Sequence, residues 1–247
     1  NYLFTTPKSR YMRIPTPPHL LFTCQSDYIG GAELELLYTL RVLRLKKIKI
    51  SLLLSKKGAV ARLFKNEGIK TTIIPSVVWE RYREYLSTFL KKNNISGIHT
   101  FSLRWLDFQT ALVAKTMQLP FIWHIHARLE VIYPLLTDEQ KEQTISLIHE
   151  LATQVITCSQ FLSQPFKNIH MDTKVVTIAN GVDTKKFAPL PSKRRMALRK
   201  RWHWEETDIV VGTIGRITPQ KRLEDFIEAA GVAKARCPSL KFVATGD

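Results

Sequence analysis

Two histidines spaced by two, two cations spaced by five beside a glycine, a double glycine and an Asn-Gly pair are the reactive punctuation of this sequence. Gly30 and Gly31 close the segment Gln25 to Glu33, between an apolar run and the stripe Leu36, Leu37, Leu40 and Leu43. Adjacent glycines let a backbone come close to a ligand, and the first N–H groups of the helix that follows attract an anion. A plain turn is the other reading. His124 and His126 fall on one face of a strand, whose side-chain period is two. Three readings stay open for them: polar histidines at the core's edge, a two-histidine metal site with no carboxylate or cysteine nearby to complete it, or a site histidine that binds or orients a substrate. The segment Gly215 to Arg222 puts Arg216 and Lys221 after an apolar run and before a helical pattern. Two permanent cations there suit a diphosphate; a solvated basic turn is the alternative. Asn180-Gly181-Val182-Asp183 is a turn signal that either hinges the chain or touches a ligand.

These residues need a scaffold, and the hydrophobic pattern describes one. Apolar runs of strand length occupy His19 to Cys24, Lys49 to Leu54, Lys70 to Ile74, Gly97 to Phe101, Pro120 to His126, Gln154 to Cys158 and Lys174 to Ile178. Segments of helical period lie between several of them: the leucine stripe, Ala59 to Glu67, Arg81 to Lys92, Leu106 to Met117 and Asp138 to Leu151. Alternation of this kind predicts an α/β fold, a parallel sheet with helices on both faces. Residues 1–18 are irregular, 19–185 form this first domain, and 186–247 form a basic linker and a second unit. That unit has a helix over Lys193 to Trp202, strands over Ile209 to Ile214 and Leu240 to Ala244, and a helix marked by Leu223, Phe226, Ile227 and Ala230. Two strands and one long helix do not cover both faces of a parallel sheet, so the second unit is expected to be truncated, completed by further chain or by a partner. The start at Asn1 rather than methionine fits an excised piece.

Composition narrows the function classes. At 45% hydrophobic and 23% charged, the 247 residues have an ordinary globular balance. No apolar run approaches the ~18 residues of a membrane helix, and no signal peptide is visible. Three scattered cysteines suggest free thiols in a reducing compartment. The net charge of +16 favours an anionic partner. No nucleic-acid recognition motif is present, nor aromatics interleaved with the basic runs. A dinucleotide oxidoreductase lacks its Gly-x-Gly-x-x-Gly after the first strand.

Taken together and in order, these segments resemble the retaining glycosyltransferases of family 4. Gly30-Gly31-Ala32-Glu33 resembles that family's Gly-Gly-x-Glu loop. Pro120 to His126 is similar to its histidine-ended strand, and Thr157-Cys158-Ser159-Gln160 to its strand-end serine segment. Asn180-Gly181-Val182-Asp183, with Phe187 and Pro189, resembles its interdomain turn. Ile214-Gly215-Arg216 with Lys221 resembles the opening of its donor domain. Two departures stand out: Ala127 where an acidic or small polar residue is common, and Arg222 where glycine often follows the lysine.

The resemblance implies a GT-B fold, two Rossmann-like domains, the first binding the acceptor and the second the nucleotide sugar. It implies hexosyl transfer to a glycan or lipid-linked acceptor, with retention and with neither a divalent metal nor a cofactor. Arg216 and Lys221 would neutralise the leaving diphosphate, and His126 would contact the transferred sugar. Gly30, Gly31, Glu33, His124, Asn180 and Gly215 would bind substrate. The family's downstream glutamates would lie beyond Asp247, so the chain alone is expected to be inactive. The expected place is cytoplasmic, with contact to an anionic membrane through Lys8, Arg10, Arg13 and the 193–201 segment. A non-catalytic GT-B-like module for an anionic partner is the alternative.

Overall fold

The computed structural model describes residues 17–26, 28–74 and 80–246. Lys8, Arg10, Arg13 and Asp247 lie outside the described residues. The chain divides into two compact units, 1–181 and 182–247.

In the first unit seven parallel strands run β1 (His19–Cys24), β2 (Lys49–Leu54), β3 (Thr71–Ile73), β4 (Gly97–Thr100), β5 (Phe121–Ile125), β6 (Gln154–Thr157) and β7 (Val175–Thr177), in the spatial order β3-β2-β1-β4-β5-β6-β7. The order reverses between β1 and β4, the crevice where open α/β sheets collect ligands. The connecting helices are α1 (Gly31–Leu45), α2 (Ala59–Asn66), α3 (Tyr82–Lys92), α4 (Trp105–Thr116), the short α5 (Leu129–Ile132), α6 (Asp138–Leu151) and α7 (Gln160–Asn168).

Strand alternation divides the core into two layers. On one face Phe22, Cys24, Leu52, Leu54 and Phe101 pack against Leu36, Leu37 and Leu40 of α1 and against Val60 and Phe64 of α2. On the other, Leu21, Leu53, Ile98, Phe121, Trp123 and Val155 meet α3, α4, α6 and α7 through residues such as Leu86, Leu106, Ile148 and Phe166. The leucines of α1 therefore form the buried stripe their spacing predicts.

One buried carboxylate ties the site-bearing edge together. Asp107, fully buried in the first turn of α4, accepts hydrogen bonds from Thr100 Oγ1 at 2.7 Å, Ser102 Oγ at 2.8 Å and the Arg104 N–H at 2.8 Å, with Thr23 Oγ1 at 3.4 Å. It thus joins the ends of β1 and β4 to the start of α4. Burial pulls its pKa upward against the hydrogen bonds that pull it down, and burial is the larger effect.

The second unit contains α8 (Ser192–Arg201), β8 (Ile209–Ile214), α9 (Leu223–Arg236) and β9 (Leu240–Thr245). β8 and β9 pair in parallel from Ile209↔Leu240 to Ile214↔Thr245. Among its described residues only Asp208 is buried, with its carboxylate on the Glu205 N–H at 2.8 Å and near Lys241 Nζ at 3.6 Å.

Replacing Asp107 by alanine leaves three hydroxyls and a backbone N–H without their acceptor. We expect a loss of roughly 2–4 kcal/mol in unfolding free energy, the scale for orphaned buried groups, read by urea denaturation. An unchanged midpoint would contradict this role.

Candidate active site

The loop after β1 leads directly into α1. Glu33 turns back, and its Oε2 accepts the Gly30 N–H at 2.8 Å while Oε1 lies 3.8 Å from the Cys24 thiol. The carboxylate is buried and committed to shaping the loop. An added Cβ at Gly30 would stand 3.1 Å from Glu33 Oε2 and 3.3 Å from the Tyr28 ring, so one of these side chains would have to give by a few tenths of an ångström. At Gly31 an added Cβ would meet nothing within 4 Å. The loop is therefore tight on its inner side and open at Gly31, where the first N–H groups of the helix have no intrahelical acceptor.

Across β4, on the face shared with α1, lies a cluster of rings. His124 and His126 stand 4.1 Å apart between ring centroids. Phe101 lies 4.6 Å from His124 and 5.3 Å from His126, and His99 lies 4.7 Å from Phe101 and 5.6 Å from His124. Phe22 of β1 completes the row at 5.2 Å from His99. Among the described residues, both nitrogens of His124 and His126 and Nε2 of His99 are buried without a hydrogen-bond partner. Burial holds the imidazoles far below their ordinary value, His99 and His124 at about 3 and His126 at about 4. Neutral rings with unused nitrogens can donate to or accept from a hydroxyl. No group of three or more His, Cys, Asp or Glu among the described residues is placed to hold a metal ion.

His99, Phe101 and Asp107 are additions to the expected set. Strand-end rings and a helix-start carboxylate match no short sequence pattern. Glu35 is another: half-buried on α1, it takes a hydrogen bond from the Gly181 backbone, and burial raises its pKa. That bond brings the Asn180-Gly181 turn to the helix that begins at Gly31. Asn180 itself is exposed.

In the second unit, Gly215, Arg216 and Lys221 line one small cleft of about 70 Å³ with Thr213, Thr245 and Gly246. Part of its wall is glycine backbone, at Gly215 and Gly246. The Gly215 N–H reaches Thr245 O at 3.0 Å, and a Cβ on Gly246, at φ +151°, would collide with Gly215 O at 1.7 Å. A 3-10 turn, Pro219–Lys221, follows, then Arg222 in the left-handed region at φ 49°, ψ 51°. That is the backbone which favours the glycine Arg222 replaces; here the arginine bonds Asp225 of α9 instead.

The histidine row has a pH consequence. A folded pKa below the unfolded ~6.5 contributes stability that is fully present above that value and is lost as pH falls toward about 4 and then 3. The melting temperature should therefore drop between about pH 7 and about pH 4.5, and a His99→Phe, His124→Phe double variant should drop less. Equal drops would contradict the buried, neutral assignment.

Known proteins share this fold. No curated protein is matched by the sequence. The fold resembles the Anabaena protein Alr3699/HepE, solved in complex with UDP and glucose, at a TM-score of 0.71 and 21% identity, over 92% of this chain and 60% of that one. It also resembles a glycosyltransferase from Rickettsia africae (TM-score 0.65, 14% identity, 93% and 69% of the two chains). A third likeness is to the catalytic domain of starch synthase IV from Arabidopsis thaliana, bound to ADP and acarbose (TM-score 0.58, 14% identity, 93% and 68%). The chain thus spans about 60% of the length of the Anabaena protein, and its architecture is the GT-B type. The model of the family described as Glycosyltransferase Family 4 matches residues 29–186, well over half the chain. The protein belongs to glycosyltransferase family 4.

Proposed function

We propose that this chain is part of an enzyme that moves a hexosyl group from a nucleoside-diphosphate sugar to a glycan or lipid-linked acceptor, with retention at the anomeric carbon and no metal ion. The observation that carries the reading is the cleft at the ends of β8 and β9, where Arg216 and Lys221 flank a wall of glycine backbone. As the sugar–oxygen bond breaks, negative charge grows on the leaving diphosphate, and fixed cations stabilise that charge more than the ground state. The nucleotides bound in the Anabaena and Arabidopsis neighbours support a donor of this class. The backbone at Gly31 offers close approach and unpaired N–H groups. His126, neutral and half-buried, supplies a hydrogen bond to the transferred sugar, with His124 behind it. Glu33 serves by holding the loop, and Glu35 by holding the Asn180-Gly181 turn.

A second reading has one observation in its favour. Helix α8 carries Lys193, Arg194, Arg195, Arg199, Lys200 and Arg201 and no acidic residue. Arg199 is engaged with the carbonyls of Glu205 and Asp208 at 2.6 and 3.0 Å, while the rest of the helix is exposed. Such a face suits an anionic surface, either as the docking site of the enzyme at the cytoplasmic side of a membrane or as the business end of a non-catalytic module. No helix among the described residues is long and apolar enough to cross a membrane.

Two measurements test these readings on the longest polypeptide that carries this sequence. Arg216→Ala should weaken UDP binding by about 1.5–3 kcal/mol, the usual worth of a hydrogen bond to a charged group; unchanged affinity by calorimetry would remove the cleft from the mechanism. The protein should sediment with phosphatidylglycerol vesicles and not with phosphatidylcholine ones, and salt well above the ~0.15 M at which screening sets in over ~8 Å should release it. Equal partitioning to both vesicles would rule out the charge-driven contact.

A further inference from the structure

The first unit contains a cavity that none of the roles above uses. It measures about 270 Å³ and is walled by α5, α6, α7 and the residues that follow β4 and β5. Its floor is apolar: Leu103, Ile125, Ile145, Ile148 and Phe166 are all buried side chains. Phe161, 63% exposed, forms one side of the mouth, with the Arg128 guanidinium 5.1 Å above its ring.

The charges at the mouth are balanced. Arg128 makes two 3.1 Å bonds to the Glu130 carboxylate, which it holds below the usual pKa, and Lys141 bonds Asp138 at 2.7 Å. The apolar floor offers an ionic occupant no partner, so the cavity favours a neutral one. Size sets the remaining limit. A dry cavity of ~150 Å³ lined by such side chains accepts benzene, so this one accommodates roughly ten carbon-sized atoms on the same scale.

Its position connects it to the candidate site. Ile125 and Ala127 line the cavity, while His124 and His126, alternating with them along the same few residues, carry the ring cluster on the other face of the sheet. Leu103 lines the cavity three residues beyond Thr100, the last residue of β4, and its carbonyl is held by the Tyr133 hydroxyl at 2.9 Å.

We propose that this cavity binds the neutral, apolar aglycone of the acceptor, an aryl or short branched aliphatic group attached to the sugar that is extended. The inference rests on the glycosyltransferase reading for the word acceptor, but the cavity's preference for an apolar group stands without it.

The test therefore has two arms. In the first, methyl NMR of the intact protein is followed during titration with naphthol, an apolar probe of suitable size, and with glucose, a polar one. Naphthol should shift the methyl signals of Ile125, Ile145, Ile148 and Leu162 saturably, and glucose should not. Filling the cavity by Ile145→Trp or, from its less buried wall, by Leu162→Trp should weaken naphthol binding at least tenfold, with folding checked by thermal melting. Wild-type affinity in both folded variants, shifts confined to other regions, or equal binding of glucose would overturn the cavity's assignment. In the second arm, an acceptor sugar bearing an aryl aglycone should show a KM at least tenfold below that of the same sugar without it. Leu162→Trp should erase the difference. Naphthol binding in the cavity together with equal KM values would overturn the acceptor part, whereas absence of any transfer alongside specific naphthol binding would count against the glycosyltransferase reading and not against the cavity.

Discussion

Parallel pairing is the constraint from which the rest of this molecule follows. When every strand runs the same way, all the carboxyl ends share one edge, and each connection must return across a face as a helix. Both faces are then buried, so strand residues are apolar on both sides. Leu52, Leu53 and Leu54 in succession are consistent with that, alternating between the α1–α2 layer and the α3–α7 layer. The shared edge gathers Gly30, the ring row and Asp107 although they lie far apart in sequence.

Burial governs the chemistry of that edge. Asp107 is an acid taken out of water, and it persists because hydroxyls and an N–H surround it. The three histidines are bases taken out of water and have no such compensation among the described residues, so they are held neutral. Polar nitrogens left unused in a buried place are costly. The second unit places its cations at a small cleft walled in part by glycine backbone. Its Gly246 admits no side chain, because the two strand ends touch there.

Much of this was legible in the sequence. The limits of β1, β2, β8 and α6 coincide with their apolar runs and periodic stretches, because strand alternation and capping leave clear marks; Thr137 and Gln140, for instance, form a capping box at the start of α6. Helix α7 was not anticipated, because Pro165 interrupts its pattern; packing of Phe166 into the core outweighs the missing hydrogen bond. The short α5 has too few residues for any period to show. The double glycine and the Arg-Lys pair were readable because local spacing defines them. His99, Phe101, Asp107 and Glu35 were not, since their neighbours are brought in by strand order rather than by sequence distance. Glu33 was readable as part of a motif, while its inward orientation emerged only once Cys24 and Gly30 were seen around it.

We propose that the cleft at the ends of β8 and β9 receives the diphosphate of a nucleotide-sugar donor. Backbone NMR during titration with UDP tests it most directly, since it detects weak binding and locates it residue by residue. Saturable shifts are expected at the amides of Gly215, Arg216, Ile217 and Gly246. Shifts absent from those four amides at saturating UDP, with binding evident elsewhere or not at all, would contradict it.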